Sequence, residues 1–308
     1  MSDYPEVAGP GLDTEPALAT LVEQLQQKHR GAVCAVLLYG SCLRSGDVFD
    51  GLVDLYLVCD DYASAYGLSP MALANLLLPP NVFYAELETG ERVLRSKVTV
   101  ISLADFRRGC SRGRFESYIW GRFAQPTRII YCRDSHIRES IEECLLTAAY
   151  TLLHNTLPSL PASGSLEELW VGALSLSYGT ELRTEHTGRA SELVNAAAGF
   201  YHSVTNYHAG SLAFPFSVYD DGYRAQVPGH LRKHAAAKWR LRRAQGKLMS
   251  VLRLVKALFT FEGGLDYIAW KLERHSGEKI EIPDRVRRYP LIHMWGFFWG
   301  LYQRGIFR

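Results

Sequence analysis

The apolar run Leu37-Leu38 ends in Tyr39-Gly40-Ser41, and a second apolar run, Val53–Leu57, carries a single acid, Asp54. Glycine lets backbone N–H groups approach phosphate oxygens closely, and Ser41 adds a hydroxyl donor. Asp54 is a hard oxygen ligand of the kind that Mg²⁺ shares with phosphate. The pattern predicts a phosphate held where one strand ends, beside a metal held where the next begins. Tyr56 stands where a second acid would complete the metal pair.

A second ligand must then come from a neighbouring strand. Glu86 and Glu88 share one strand face and are the candidates, with Asp47 and Asp50 as weaker ones. Asp60 lies six residues beyond Asp54, about 20 Å along a straight strand, so Asp60 and Asp61 read as loop or helix-cap residues. Lys97 sits in an apolar strand, which is costly unless an anion meets it. Arg122 offers a planar fork suited to phosphate oxygens. The alternatives are a surface lysine and an internal ion pair. The pairs His202/His208 and His230/His234 have no Cys or acid at ligand spacing, so they read as structural. No Ser-His-Asp arrangement or GxSxG elbow supports hydrolase chemistry.

These residues need a sheet to position them. Apolar spacing predicts a helix over 16–28 and strands over 32–39, 52–59, 82–88 and 93–101, with a Thr89-Gly90 hairpin turn. Helices over 103–107 and 115–122 and a strand over 127–132 complete a helix-flanked mixed sheet. From Ser135 the pattern turns helical, over 136–154, 166–176 and 190–207, with a loop over 158–164 and a turn at Asp220-Asp221-Gly222.

The composition is that of an ordinary globular chain of 308 residues, 47% hydrophobic and 21% charged, with no run of the roughly 20 apolar residues that span a bilayer. Six scattered cysteines without a CxxC pair read as reduced thiols. The net charge of +2 hides an asymmetry: residues 231–308 hold 17 Lys and Arg against 6 Asp and Glu, and residues 1–230 hold 17 against 26. A basic tail suits nucleic acid, an anionic membrane or simply solvent. Within it, Leu248, Val251, Leu252, Val255, Leu258 and Phe259 form one apolar stripe, with Lys247, Arg253 and Lys256 off it. Trp295, Phe297, Phe298, Trp299 and Tyr302 follow, edged by Arg287, Arg288, Arg304 and Arg308. Aromatics bordered by cations suit a membrane interface. Their Gly-rich apolar cluster is unlike a base-stacking platform, so a nucleic-acid partner is not expected.

In chain order, Tyr39-Gly40-Ser41, Val53–Asp61, Val82-Phe83-Tyr84, Lys97–Ser102, Tyr118–Phe123, Leu176–Arg183 and Lys256–Thr260 resemble the motifs of one family. It is the mitochondrial-type phosphatidate cytidylyltransferases, the translocator assembly and maintenance family, and this chain looks like a bacterial-type member. The resemblance implies an α+β architecture. A polymerase-β-like nucleotidyltransferase mixed sheet would occupy 1–134, a mainly helical winged-helix-like domain 135–230, and a basic, aromatic membrane-contacting segment 231–308. It implies transfer of CMP from CTP to phosphatidate, giving CDP-diacylglycerol and pyrophosphate, with Mg²⁺ on Asp54 and Tyr39, Gly40 and Ser41 at the nucleotide. Lys97 and Arg122 would meet triphosphate or lipid phosphate, and Tyr178 and Arg183 would wall the cleft. Arg253, Lys256, Trp295, Phe298 and Trp299 would face an anionic phospholipid membrane.

The chain departs from the family at Cys42, where Gly is usual, in a shortened segment 62–80, and in residues 273–308, which run past its expected end. These departures leave open a cytidylyltransferase for another phosphorylated lipid or small molecule, or a non-catalytic nucleotide- or lipid-binding protein on the same scaffold. The acidic, polar N-terminus predicts a cytoplasmic protein, peripherally associated with the inner face of the membrane.

Overall fold

The computed structural model describes residues 4, 5, 7, 15–182 and 188–260, and from the tail 269, 270, 273, 280–288, 293, 296, 297, 299, 300 and 303. Its centre is a mixed five-stranded sheet of β1 (Val33–Tyr39), β2 (Val53–Cys59), β3 (Asn81–Thr89), β4 (Arg92–Ser102) and β5 (Arg128–Cys132). The strand order is β3-β4-β2-β1-β5. Only β2 and β4 run parallel; the other neighbours are antiparallel. Both faces of β1 and β2 are covered, which is why they read as continuous apolar runs rather than alternating ones. Asp54 is the one position of β2 that is not fully buried.

Helix α1 (Pro16–Lys28) lays Leu18, Leu21 and Leu25 on one sheet face, against Val36, Leu38, Leu55 and Leu57. The short helix α2 (Cys42–Ser45) follows Gly40-Ser41 directly. The opposite face is covered by α5 (Leu103–Cys110), α6 (Trp120–Phe123) and α7 (Ser135–Thr156). A helical region follows: α8 (Leu166–Tyr178), α9 (Arg189–Ala196) and α10 (Ala198–His208), with a small sheet β6-β8-β7 from β6 (Ser163–Ser165), β7 (Phe216–Tyr219) and β8 (Gly222–Ala225). One cluster of buried side chains runs from Leu37 and Tyr56 of the large sheet through α7 and α8 to Tyr223 and Trp239. The expected boundary at 134/135 falls at the cap of α7, where Asp134 accepts from the Ile137 N–H, and the core is continuous across it.

The strands and α1 lie where the sequence predicts them, and the structure corrects other expectations. The helix expected over 115–122 is a single turn, α6, because Glu116 and Ser117 leave the local chain for tertiary partners. The helix expected over 190–207 is two helices, broken at Ala197, which has φ −133°. The segment 62–80 forms α3 (Tyr62–Tyr66) and α4 (Pro70–Leu77), started by the side chains of Asp61 and Ser69; Asp61 is thus the helix cap the sequence predicts. Residues Gly229–Thr260 form one long helix, α11. No helix among the described residues is long and apolar enough to cross a membrane. All six cysteines are free thiols.

Candidate active site

One register row crosses four strands and gathers the predicted residues: Tyr84 opposite Lys97, Lys97 opposite Asp54, Asp54 opposite Tyr39. Cross-strand partners share a face, so the four side chains stand side by side. At the end of β1 the chain turns through Gly40 at φ +90°. A Cβ there would lie 2.8 Å from Asp54 Oδ2, closer than real Cβ atoms come. Only glycine fits, because the conformation is left-handed and the carboxylate occupies the space. Ser41 is exposed at the entry to α2.

The cations come from three elements. Lys97 is on β4. Arg122 lies on α6, whose neighbour Phe123 sits edge-on to Tyr56 and Phe106 with both centroid distances at 4.8 Å. Such pairs contribute about 0.5–1.5 kcal/mol beyond area burial, and they anchor the one-turn helix. Arg122 donates to Tyr56 Oη at 3.1 Å and to Glu181 Oε1 at 3.4 Å, and covers the Tyr118 ring at 4.4 Å. Arg189, at the start of α9, adds a third positive charge felt by Asp54.

Burial pushes the Asp54 carboxyl above its ordinary pKa, while Lys97, Arg122 and Arg189 pull it back. Burial works to lower the Arg122 pKa, but the Tyr118, Tyr56 and Tyr39 phenols and Glu181 outweigh it and raise it well above its ordinary value. Burial also raises Tyr118, yet Arg122, Arg253 and Lys97 outweigh it and bring that phenol below its ordinary value. Among the described residues, neither the Asp54 carboxylate nor the Lys97 ammonium has a hydrogen bond or ion pair of its own. The site is therefore a carboxylate with open lone pairs beside the unpaired Lys97 ammonium and the Arg122 guanidinium, an arrangement that suits a polyphosphate.

Other expectations fare differently. Glu86 and Glu88 share the face of Asp54 but lie on β3, two strands away, which is about 10 Å at the usual spacing, and farther along the strand. Glu86 is held by Arg95 at 3.4 Å and by the Tyr84 hydroxyl. Neither glutamate can share a metal with Asp54. Asp47 pairs with Arg92 at 3.2 Å, and Asp60 is bridged twice by Arg133, at 2.7 and 2.9 Å. Tyr178 donates to Gln125 Oε1 at 3.0 Å, and Arg183 lies outside the described residues. Among the described residues no three His, Cys, Asp or Glu come together at ligand distance.

The expected membrane contacts at Arg253 and Lys256 are corrected. Arg253 turns inward to Glu116 Oε1 at 2.6 Å and to the Pro79 carbonyl at 3.0 Å, while stacking on Tyr118. Lys256 donates to the carbonyls of Leu78 and Pro80 at 2.5 and 2.7 Å. For Arg253 the physical reason is Glu116, 3% exposed and needing a cation. The stripe residues Leu248, Val251, Leu252 and Val255 are exposed instead. Trp299 is exposed; Trp295, Phe298, Tyr302, Arg304, Arg308 and the side chains of Leu258 and Phe259 lie outside the described residues.

Sequence reasoning missed Arg189, which no local pattern marks, and Tyr118, whose i,i+4 spacing to Arg122 was the available clue. No family model matches the chain, and no curated protein matches it.

Proposed function

We propose that the chain is a Mg²⁺-dependent cytidylyltransferase that transfers CMP from CTP to phosphatidate, on a polymerase-β-like sheet joined to a winged-helix-like helical region. The observation that carries this reading is the Asp54 carboxylate packed onto Gly40, with Lys97 and Arg122 beside it. A phosphate oxygen of phosphatidate would form the new bond to the α-phosphorus of CTP as the bond to the β-phosphate oxygen breaks and pyrophosphate leaves. Little covalent work is asked of the chain; positioning and charge neutralisation carry such transfers.

Asp54 fits a magnesium ion because its oxygens carry no other bond. Mg²⁺ is commonly held by one or two carboxylates with substrate phosphates and water completing its shell. When bound, it would neutralise charge on the transferring phosphate. Lys97 and Arg122 would orient the phosphates, and the Gly40-Ser41 turn would admit them to the strand end. The exposed stripe of α11, beside the exposed Arg240, Arg243 and Lys247, supports docking on an anionic lipid surface. Leu252→Glu with Val255→Glu should leave the unfolding midpoint unchanged and abolish sedimentation with phosphatidate-containing vesicles; retained sedimentation contradicts that part.

A single carboxylate also favours a second reading, a nucleotide- or lipid-binding protein without turnover. Pyrophosphate release from CTP with phosphatidate vesicles and Mg²⁺ separates the two. Lipid-dependent release that Asp54→Asn removes supports the transferase. Binding of vesicles and CTP with no release supports the second reading.

A further inference from the structure

We propose that, with the Asp54 centre read as a nucleotide site, Glu86, Arg95 and Trp270 form its base-reading subsite and select cytosine over uracil. Arg95 lies two residues before Lys97 on β4 and opposite Glu86 on β3, so both side chains share the face of Lys97 and Asp54. On one side of the Asp54–Lys97 row, the next row of that face, Tyr56 with Thr99, is buried. On the other side the Arg95–Glu86 row is open: Glu86 is exposed and Arg95 partly so. Arg95 stands about 7 Å along the strand from Lys97, a span that a ribose bridges between phosphate and base.

The pair has hydrogen-bonding capacity left on both members. The Tyr84 hydroxyl donates to Glu86 Oε1, which fixes the carboxylate and leaves Oε2 with no hydrogen bond among the described residues. Arg95 Nε faces Oε1 at 3.4 Å in ion-pair contact, yet it is buried without a hydrogen bond among the described residues. Nη1 reaches the Val93 carbonyl at 3.5 Å, a long contact. With the Tyr84 oxygen beside it as well, Arg95 still meets fewer acceptors than the five N–H groups of a guanidinium. Trp270 lies against the same guanidinium, its ring centroid 5.6 Å from Cζ. Its indole walls the subsite with a surface that suits a stacked base.

One fixed carboxylate oxygen beside a surplus of donors defines the edge that fits. Cytosine presents a single amino donor, N4, next to the N3 and O2 acceptors. Glu86 Oε2 would accept from N4, a pairing that carboxylates make with this base, and Arg95 would donate to N3 and O2. Uracil sets O4, an acceptor, against the carboxylate. Guanine offers more donors than acceptors on that edge, the reverse balance. The same position that keeps Glu86 from a metal on Asp54 thus places it where a base would lie.

The test is calorimetric titration of the full chain with CTP and UTP in Mg²⁺, which requires no turnover. Wild type is expected to bind CTP about tenfold or more tighter than UTP. Glu86→Gln supplies an amide that can face either base and should bring the two affinities within about threefold. Arg95→Gln should weaken CTP about tenfold or more and is the second arm if Glu86→Gln fails to fold. Glu88→Gln, on the same face one row farther out, should leave the ratio unmoved. No CTP binding at about 10 mM, equal affinity for CTP and UTP in wild type, or an unmoved ratio in Glu86→Gln overturns the proposal. So does a collapsed ratio in Glu88→Gln. A CTP preference that Glu86→Gln removes, in a chain that transfers no CMP to lipid, overturns the transfer reading alone. Transfer to lipid with the preference unmoved in Glu86→Gln overturns the base-reading subsite alone.

Discussion

Gly40 and Asp54 constrain each other: the left-handed turn needs glycine, and the space glycine leaves is filled by the carboxylate. Gly40→Ala should therefore cost about 1–2 kcal/mol in a urea unfolding curve and displace Asp54, lowering turnover further than Ser41→Ala does. Equal effects of the two changes would contradict this account. At this scale the sequence was legible where residue type alone limits the options. An acid in an apolar strand and a lysine in a buried strand meet in one register row, and the strand-end glycine follows Tyr39 of that row. Glu86 and Glu88 were misleading because one strand's alternation says which face a side chain takes, but not how many strands separate it from Asp54. Arg189 was invisible because its relation to Asp54 exists only in three dimensions.

Among the elements, α11 departs most from its sequence pattern. Periodicity identifies an apolar stripe and a basic flank, yet it does not say which side meets the body. Glu116, separated from Arg253 by 137 residues, draws that arginine inward, while Lys247 of the same flank stays exposed. Arg242 behaves alike: it is 3% exposed, donates to the Phe115 carbonyl at 2.7 Å and to Asn155 Oδ1 at 2.9 Å, and covers the Phe115 and Trp239 rings. Glu116→Gln strands the Arg253 charge and weakens the pair with Arg114 at 2.8 Å. Loss of one partner in such a buried pair costs roughly 3–5 kcal/mol. The expected result is a fall of that size in unfolding free energy, with faster amide exchange over 249–256; a loss under about 1 kcal/mol would contradict the clamp. The strands and α1, by contrast, were readable because local apolar spacing and burial agree there.

For the whole molecule, the shared core explains why the expected boundary at residue 134 leaves no gap: α7 and α8 pack against side chains from the sheet. His208 sits in that region, 5% exposed, with Nε2 at 3.0 Å from the Leu146 carbonyl. Burial lowers its pKa to about 4, more than the carbonyl contact raises it. The unfolded chain binds this proton below its ordinary value near 6.5, while the folded chain does so only near 4. Stability should fall as pH drops through that window, by on the order of 3 kcal/mol from this group. The difference between wild type and His208→Gln in unfolding free energy, followed from pH 7 to pH 4, checks it; a flat difference would contradict the assignment. The central claim joins the Asp54 centre to a lipid acceptor, and the most direct measurement follows the label itself. Wild type, Asp54→Asn and Lys97→Met are each incubated with α-phosphate-labelled CTP, Mg²⁺ and phosphatidate vesicles, and the lipid is extracted and counted. The account predicts label in the lipid fraction for wild type and near background for both variants. Lipid free of label with wild type, or label undiminished in Asp54→Asn, would contradict it.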